Sequence, residues 1–364
     1  MPKKKGLYLL TSSDGSKYKD NPKYFFQYLQ KKGLNAYWAT TNKNVYQELK
    51  SKNMPVSYIY SIKHFLYALR AEFVFSDDSR NGVFFDSIFW HYGNFKNILM
   101  WHGTGFKNIG LKAEKYQKGN KLINYIKYAL MKSRFKSYKL ILASSEFDKK
   151  RKKDCFKNSN VEVLGYPRID YLVESAKKKS LNKNKIILYL PTFREKDSEN
   201  RPFSRIFLKK LDEYLEKSQQ KLLIKNHPYD KICKLYKGQT YHNILDITNK
   251  GKDVQDLLID SDLLITDYSS VCCDYVVLDK PVIFYIYDYD HYTSNCRNTY
   301  YSFTDTVPGP FARDETSLLK MIQNQSWFIN KEYKEKYLNF KSSFHKFTDS
   351  NSSKRILEYI RNKL

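Results

Sequence analysis

A chain of 364 residues is too long for one ordinary hydrophobic core, so two domains are expected. Hydrophobic residues at 41% and aromatics at 16% exclude wholesale disorder. Lys plus Arg number 64 against 38 Asp plus Glu, a formal charge of +26. That charge places the protein near polyanions (nucleic acid, an anionic membrane surface or phosphorylated substrates), unless AT-biased coding supplied the lysines.

The amino terminus leads into a short apolar run, Leu7 to Leu10, too short for a signal-peptide core. No stretch approaches the roughly 20 apolar residues of a spanning helix, so a membrane, if involved, is met from its surface. In the first half, strands are expected at Gly6–Leu10, Leu34–Thr40, Val56–Tyr60, Phe73–Ser76, Asn97–Trp101, Lys139–Ala143 and Val161–Leu164. Helix-like segments such as Pro22–Lys32 and Ile62–Ala71 fall between them, and this alternation argues for a parallel sheet covered by helices. Near Tyr171 to Lys185 the composition turns to Lys, Ser and Asn, the pattern of an interdomain linker. A second series follows at Lys185–Leu190, Lys221–Lys225, Ile244–Ile247, Leu263–Thr266 and Val282–Tyr287. A last helix, about Ser352 to Leu364, closes the chain.

The expected fold is therefore α/β, with two Rossmann-like lobes facing a cleft. The expected domains are 1–172 and 185–345, with 346–364 as a helix free to pack back on the first domain. Ligands of open α/β sheets bind beyond the carboxyl ends of the strands, and four motifs stand at such ends.

Trp101-His102-Gly103-Thr104-Gly105-Phe106-Lys107 follows Asn97–Trp101. A neutral imidazole there can take a proton from an attacking hydroxyl, and the glycines let backbone approach a ligand. The plainer alternative is a turn histidine bonded to backbone. Lys225-Asn226-His227-Pro228 ends a strand in the second half, where Lys225 and His227 can bind phosphate or steady a leaving group. A satisfied surface turn is the alternative. In Leu263–Val271, a buried strand runs into Asp267-Tyr268-Ser269-Ser270, where a helix begins. Hydroxyls and backbone N–H groups at such a start form an anion site, although plain N-capping by Ser269 or Asp267 accounts for the same residues. Pro191-Thr192-Phe193-Arg194 suits a phosphate clamp, or a surface Arg paired with Glu195 or Asp197.

Five cysteines (Cys155, Cys233, Cys272, Cys273, Cys296) contain no C-x-x-C pair, which suits neither zinc nor a disulfide framework and fits a reducing cytosol. Cys272 and Cys273 read as packing residues. No carboxylates cluster at magnesium-site spacing, so no tightly bound protein-ligated metal is expected; no cofactor is expected either. In Leu122–Arg134, apolar Leu122, Ile123, Ile126, Ala129 and Leu130 recur at helical spacing among Lys121, Lys127, Lys132 and Arg134. Such a helix lies either on an anionic bilayer or against its own domain.

Taken together, the motifs resemble the CDP-glycerol glycerophosphotransferase family of teichoic-acid and capsule synthesis. The match runs from about Ile98 to Pro310: Trp101–Thr104, Gly165-Tyr166-Pro167-Arg168-Ile169-Asp170, Pro191–Arg194, Lys225–Pro228, Thr266–Val271, Lys280–Tyr285 and Pro308-Gly309-Pro310. The chain departs at Gly105, where the family commonly has Pro, and at Arg297-Asn298-Thr299-Tyr300, where it has Arg-Gly-Phe-Tyr. The resemblance implies a glycosyltransferase-B fold, a peripheral enzyme at the cytoplasmic face of the membrane, and transfer that needs two histidines, matching His102 and His227. The chain's size is similar to the single-addition, primase-type members.

The expected reaction moves glycerol phosphate from CDP-glycerol to a hydroxyl of a polyprenyl-diphosphate-linked glycan and releases CMP. His102 is expected as general base and His227, with Lys225, at the departing phosphate. Gly103, Thr104, Thr192, Arg194, Asp267, Ser269 and Ser270 are expected to bind substrate. The alternatives are a CDP-ribitol donor, or a nucleotide-sugar glycosyltransferase of the same fold. A nucleic-acid-binding protein rests only on charge and aromatics, because no binding motif supports it.

Overall fold

A computed structural model describes residues 3–78, 95–106, 108–113, 121–178, 184–192, 194, 202–226, 240–295 and 300–364. The chain divides into two compact units. The first comprises Met1–Thr104, Ile109–Tyr171 and Phe344–Leu364; the second comprises Gly105–Asn108 and Leu172–Ser343.

The first unit holds a seven-stranded sheet in the order β3-β2-β1-β4-β5-β6-β7. Its strands are β1 (Tyr8–Leu10), β2 (Ala36–Thr40), β3 (Val56–Tyr58), β4 (Phe73–Ser76), β5 (Lys96–Leu99), β6 (Leu140–Ala143) and β7 (Val161–Val163). Every pairing is parallel. Parallel strands covered on both faces need continuous apolar runs rather than alternation, and β1, β4 and β6 are buried along their whole length. Helix Asp20–Lys31 covers part of this sheet through Phe25, Phe26 and Leu29, spaced to fall on one face.

The second unit repeats the plan with a six-stranded parallel sheet, order β10-β9-β8-β11-β12-β13. Here β8 is Lys185–Leu190, β9 Gln220–Ile224, β10 Ile244–Asp246, β11 Leu263–Thr266, β12 Val282–Tyr285 and β13 Phe311–Ala312. Its core packs Phe207, Leu208, Leu211 and Leu215 of helix Arg205–Lys217 with Ile187, Tyr189, Leu222, Ile265 and Ile283 of the sheet. Strand order reverses between β1 and β4 in one sheet and between β8 and β11 in the other. Crevices for ligands open at the carboxyl ends of such strands.

The elements differ from expectation mainly at their ends. β5 stops at Leu99 rather than Trp101, because Trp101 adopts φ +57°, a left-handed conformation that no strand can continue. β13, two residues long, gave no periodic signal. The linker expected from Tyr171 is instead the second half of helix Pro167–Lys178, in which Leu172 is buried and Tyr171 stacks on Tyr24. Residues 179–183 lie outside the described residues. The last helix, Ser352–Lys363, belongs to the first unit. There the Asp170 carboxylate accepts hydrogen bonds from the N–H of Ser352 (2.9 Å), the N–H of Ser353 (2.7 Å) and the Ser353 hydroxyl (2.9 Å). Helix Lys121–Ser137 buries only Phe135, while Leu122, Ile123, Ile126 and Leu130 are exposed.

Candidate active site

In the first unit, the chain leaves β5 and turns sharply at Trp101. Its ring lies against the His102 imidazole, with centroids 4.4 Å apart, and edge-on to Phe156. His102 Nδ1 is 3.0 Å from the backbone carbonyl oxygen of Asp77. A carbonyl can only accept, so Nδ1 carries the proton and Nε2 presents its lone pair. The His102 side chain is exposed. Desolvation by the surrounding protein nonetheless lowers its pKa, outweighing Asp20 and the Asp77 carbonyl, which raise it. The result is a neutral imidazole with one open nitrogen, the form a general base requires.

Backbone contacts hold this residue in place. Arg168 Nη1 donates to the His102 carbonyl (2.7 Å) and to Asp20 Oδ1 (2.8 Å). Asn21 Nδ2 donates to the Trp101 carbonyl (2.8 Å). Gly103 has φ +121°, and a Cβ there would stand 2.1 Å from Arg168 Nη2. Glycine is required by conformation and by space alike. Gly103 and Thr104, both expected at the substrate, are buried in the turn. Gly103 admits the guanidinium, and the Thr104 hydroxyl lies 2.8 Å from Ser144 Oγ. Their contacts shape the turn.

Two carboxylates flank the same strand ends. Asp77, just after β4, accepts from Ser12 Oγ (2.5 Å) and Ser13 N (2.9 Å), both just after β1. Burial and then repulsion from Asp20 push its carboxyl up to about 7. For Asp20, burial opposes ionisation, yet the surrounding positive charge, Arg168 first, outweighs it and holds the carboxyl below its ordinary value. Neither residue was singled out from sequence. Asp77 was findable by the rule that singled out His102, since it too follows a strand at its carboxyl end.

In the second unit, Thr192 and Arg194 follow β8, Asp267 follows β11 and Asp288 follows β12. Arg194 is buried and all three of its guanidinium nitrogens donate within the protein. Nε donates to Asp288 Oδ2 (2.7 Å) and Nη1 to both oxygens of Thr192. Nη2 meets Asp288 Oδ1 (3.1 Å) and Asp267 Oδ2 (2.8 Å). Burial disfavours the charge, but Asp267 and Asp288 outweigh it and hold the guanidinium far above its ordinary value. The rings of Tyr268 and Tyr292, stacked at 3.6 Å, lie beside it. Arg194, expected at a phosphate clamp, thus stands in a buried ion-pair network with Asp267 and Asp288; Glu195 and Asp197 lie outside the described residues. Asp267, wholly buried, also accepts from Thr192 N (2.9 Å) and Oγ1 (3.0 Å). Thr192, Arg194 and Asp267 thus tie two strand-end loops together.

Ser269 and Ser270 are half-buried at the start of helix Val271–Tyr275. Ser269 Oγ accepts weakly from Val271 N (3.3 Å), whereas the Ser270 side chain makes no cap hydrogen bond. A Cβ on Gly105 would come within 3.1 Å of Ser270 Cβ, so the missing side chain at Gly105 makes room for this serine. Lys225, half-buried after β9, has its pKa lowered by burial against the pull of Asp253 and Asp246. Its neighbour Asn226 is fixed by an N–H bond to Thr248 Oγ1 (3.0 Å). His227 lies outside the described residues.

The family model described as CDP-glycerol:poly(glycerophosphate) glycerophosphotransferase matches residues 1–362. The teichoic acid glycerol-phosphate transferase of Staphylococcus aureus is 28% identical over 98% of this chain and 93% of its own length. The teichoic acid poly(ribitol-phosphate) polymerase of Bacillus spizizenii is 29% identical over 62% of this chain and 38% of its own length, so the chain spans well under half of that polymerase. A structure of a variant of the wall teichoic acid polymerase TagF, soaked with CDPG, superposes with TM-score 0.77 at 22% identity. It covers 99% of this chain and 88% of that one, and the two share the glycosyltransferase-B class of fold.

Proposed function

The chain belongs to the family described as CDP-glycerol:poly(glycerophosphate) glycerophosphotransferase, and from that membership we propose that it transfers glycerol phosphate from CDP-glycerol. The acceptor is a hydroxyl of a polyprenyl-diphosphate-linked glycan, and the other product is CMP. The observation that carries the reading is the exposed His102 imidazole, with Nδ1–H held by the Asp77 carbonyl and Nε2 open.

In the proposed step, Nε2 of His102 takes the proton of the acceptor hydroxyl as its oxygen attacks the β-phosphorus. The bond from that phosphorus to the bridging oxygen breaks, and CMP departs with the electron pair. Such transfer asks the protein for alignment and charge stabilisation. Lys225, Ser269 and Ser270 are assigned to the donor diphosphate, with His227 beside the leaving CMP. Thr192, Arg194 and Asp267 hold the loops that present them.

Further parts of the reading are the site of work and the polymer. The protein is proposed to act peripherally at the cytoplasmic face of the membrane, through the exposed apolar and basic side chains of helix Lys121–Ser137, in making a teichoic-acid-like or capsular polymer. A CDP-ribitol donor is the second reading, favoured by the likeness to a ribitol-phosphate polymerase. Incubation with CDP-glycerol or CDP-ribitol and a lipid-linked glycan, followed by measurement of CMP, tests the proposal. CMP release and acceptor extension with CDP-glycerol are expected. Turnover of CDP-ribitol alone replaces the donor, and release of a nucleoside diphosphate from a nucleotide sugar replaces the chemistry.

A further inference from the structure

Arg168 stands in the first turn of helix Pro167–Lys178, where a positive charge is opposed by the helix dipole. It is almost fully buried. Such a placement needs compensation, and its contacts supply it. Nη1 bridges the His102 carbonyl (2.7 Å) and Asp20 Oδ1 (2.8 Å), while Nη2 occupies the space left by the missing Cβ of Gly103. The Arg168 N–H also donates to Asn21 Oδ1 (3.3 Å), and Asn21 Nδ2 bonds the Trp101 carbonyl. Asp20 is itself held at φ +62°, a costly conformation for a residue with a side chain. Two helix starts thus grip the backbone on both sides of the imidazole.

We propose that Arg168 and Asp20 are positioning residues: a buried ion pair that fixes His102 through its backbone and, by opposed charges, sets its affinity for a proton. The inference rests on the proposed role of His102 as general base. Four residues bring charge or potential charge to this imidazole. Asp20 begins the helix from Asp20, Asp77 and Asp78 follow β4, and Arg168 begins the helix from Pro167. Asp20 and Asp78 favour the imidazolium and Arg168 disfavours it, while Asp77 acts through its carbonyl. A group that only supported the fold would not shift a titration in a direction set by its own charge.

The test titrates His102 in the full-length protein by NMR, in wild type and in Arg168→Gln, Arg168→Lys and Asp20→Asn, and records the pH profile of transfer for each. Arg168→Gln removes the cation, so the His102 titration and the acid limb of the profile move to higher pH, by about one unit for a close charge. Asp20→Asn moves both to lower pH. Arg168→Lys keeps the charge but loses the planar fork. Its titration therefore stays near wild type while kcat falls. If Arg168→Gln does not fold, the opposite movement in Asp20→Asn and the unmoved titration in Arg168→Lys decide. Titrations that do not move, or that move alike in Arg168→Gln and Asp20→Asn, overturn the clamp. Absence of transfer in the wild type itself, with titrations shifted as expected, instead overturns the catalytic reading and leaves the charge coupling standing.

Discussion

Trp101 takes positive φ beside His102, the kind of local cost that folds retain where a side chain must be aimed, and Gly103 follows it with a positive φ that suits glycine. His102→Ala is expected to lower transfer by about 10²-fold or more, the usual scale for a general base. Because the side chain is exposed, circular dichroism and thermal unfolding should match wild type; a folded variant with near wild-type CMP release removes the assignment. Gly103→Ala acts through the same turn. Its Cβ meets Arg168 Nη2 at 2.1 Å in a left-handed backbone, so a loss of about 1–3 kcal/mol is expected in urea unfolding, together with reduced transfer. Asp77 gives a pH signature. Its folded pKa, about 7, lies above that of an unfolded carboxyl, so the folded state holds the extra proton. Stability from this group therefore falls as pH rises from about 4 through about 7. Asp77→Asn keeps an acceptor for Ser13 N and a partner for Ser12 Oγ, and should flatten that decline in melting temperature measured across pH.

At the scale of elements, the last helix shows how a short motif serves two ends. The segment Gly165–Asp170 begins the helix that carries Arg168, and Asp170 caps helix Ser352–Lys363 by accepting from two backbone N–H groups and a hydroxyl. Capping carboxylates satisfy donors that the helix itself leaves without partners. Asp170→Ala removes all three bonds at a buried position and should cost about 1–3 kcal/mol in urea unfolding. An unchanged midpoint would show that the helix is held by its apolar face, Ile356, Leu357 and Ile360, alone. In the second unit the loops after β8, β11 and β12 meet around Arg194, so these strand-end loops rest on a buried ion-pair network and not on short helix Val271–Tyr275 by itself.

For the whole molecule, a charge of +26 acts over distances that no single contact reaches. Among the described residues, no helix is long and apolar enough to cross a membrane. Helix Lys121–Ser137 exposes Leu122 at 67% and Leu130 at 65% beside its lysines. Binding to anionic vesicles should fade with salt, since screening weakens an attraction of about 1 kcal/mol per basic side chain. Replacing Lys121, Lys127, Lys132 and Arg134 with Gln should reduce co-sedimentation with anionic vesicles and spare turnover on a short soluble acceptor. Equal binding by wild type and variant would move the contact to another surface.

Much of the architecture was legible because parallel strands are local in pattern. Runs such as Leu140–Ala143 and Leu263–Thr266 are apolar throughout, and burial on both faces is the physical cause. The strand-end rule then singled out His102 without any knowledge of its neighbours. What no local pattern held was the set of partners. Asp20 and Arg168 are 148 positions apart, and Arg194 and Asp288 are 94 apart. Their meeting depends on the order in which strands cross over within each sheet. That order also chose the His102 tautomer, through the carbonyl of Asp77, and set Arg194 at the centre of a buried network. Residue type and spacing determined which chemistry each strand end could offer; the crossovers decided which groups stand close enough to orient, charge or silence one another.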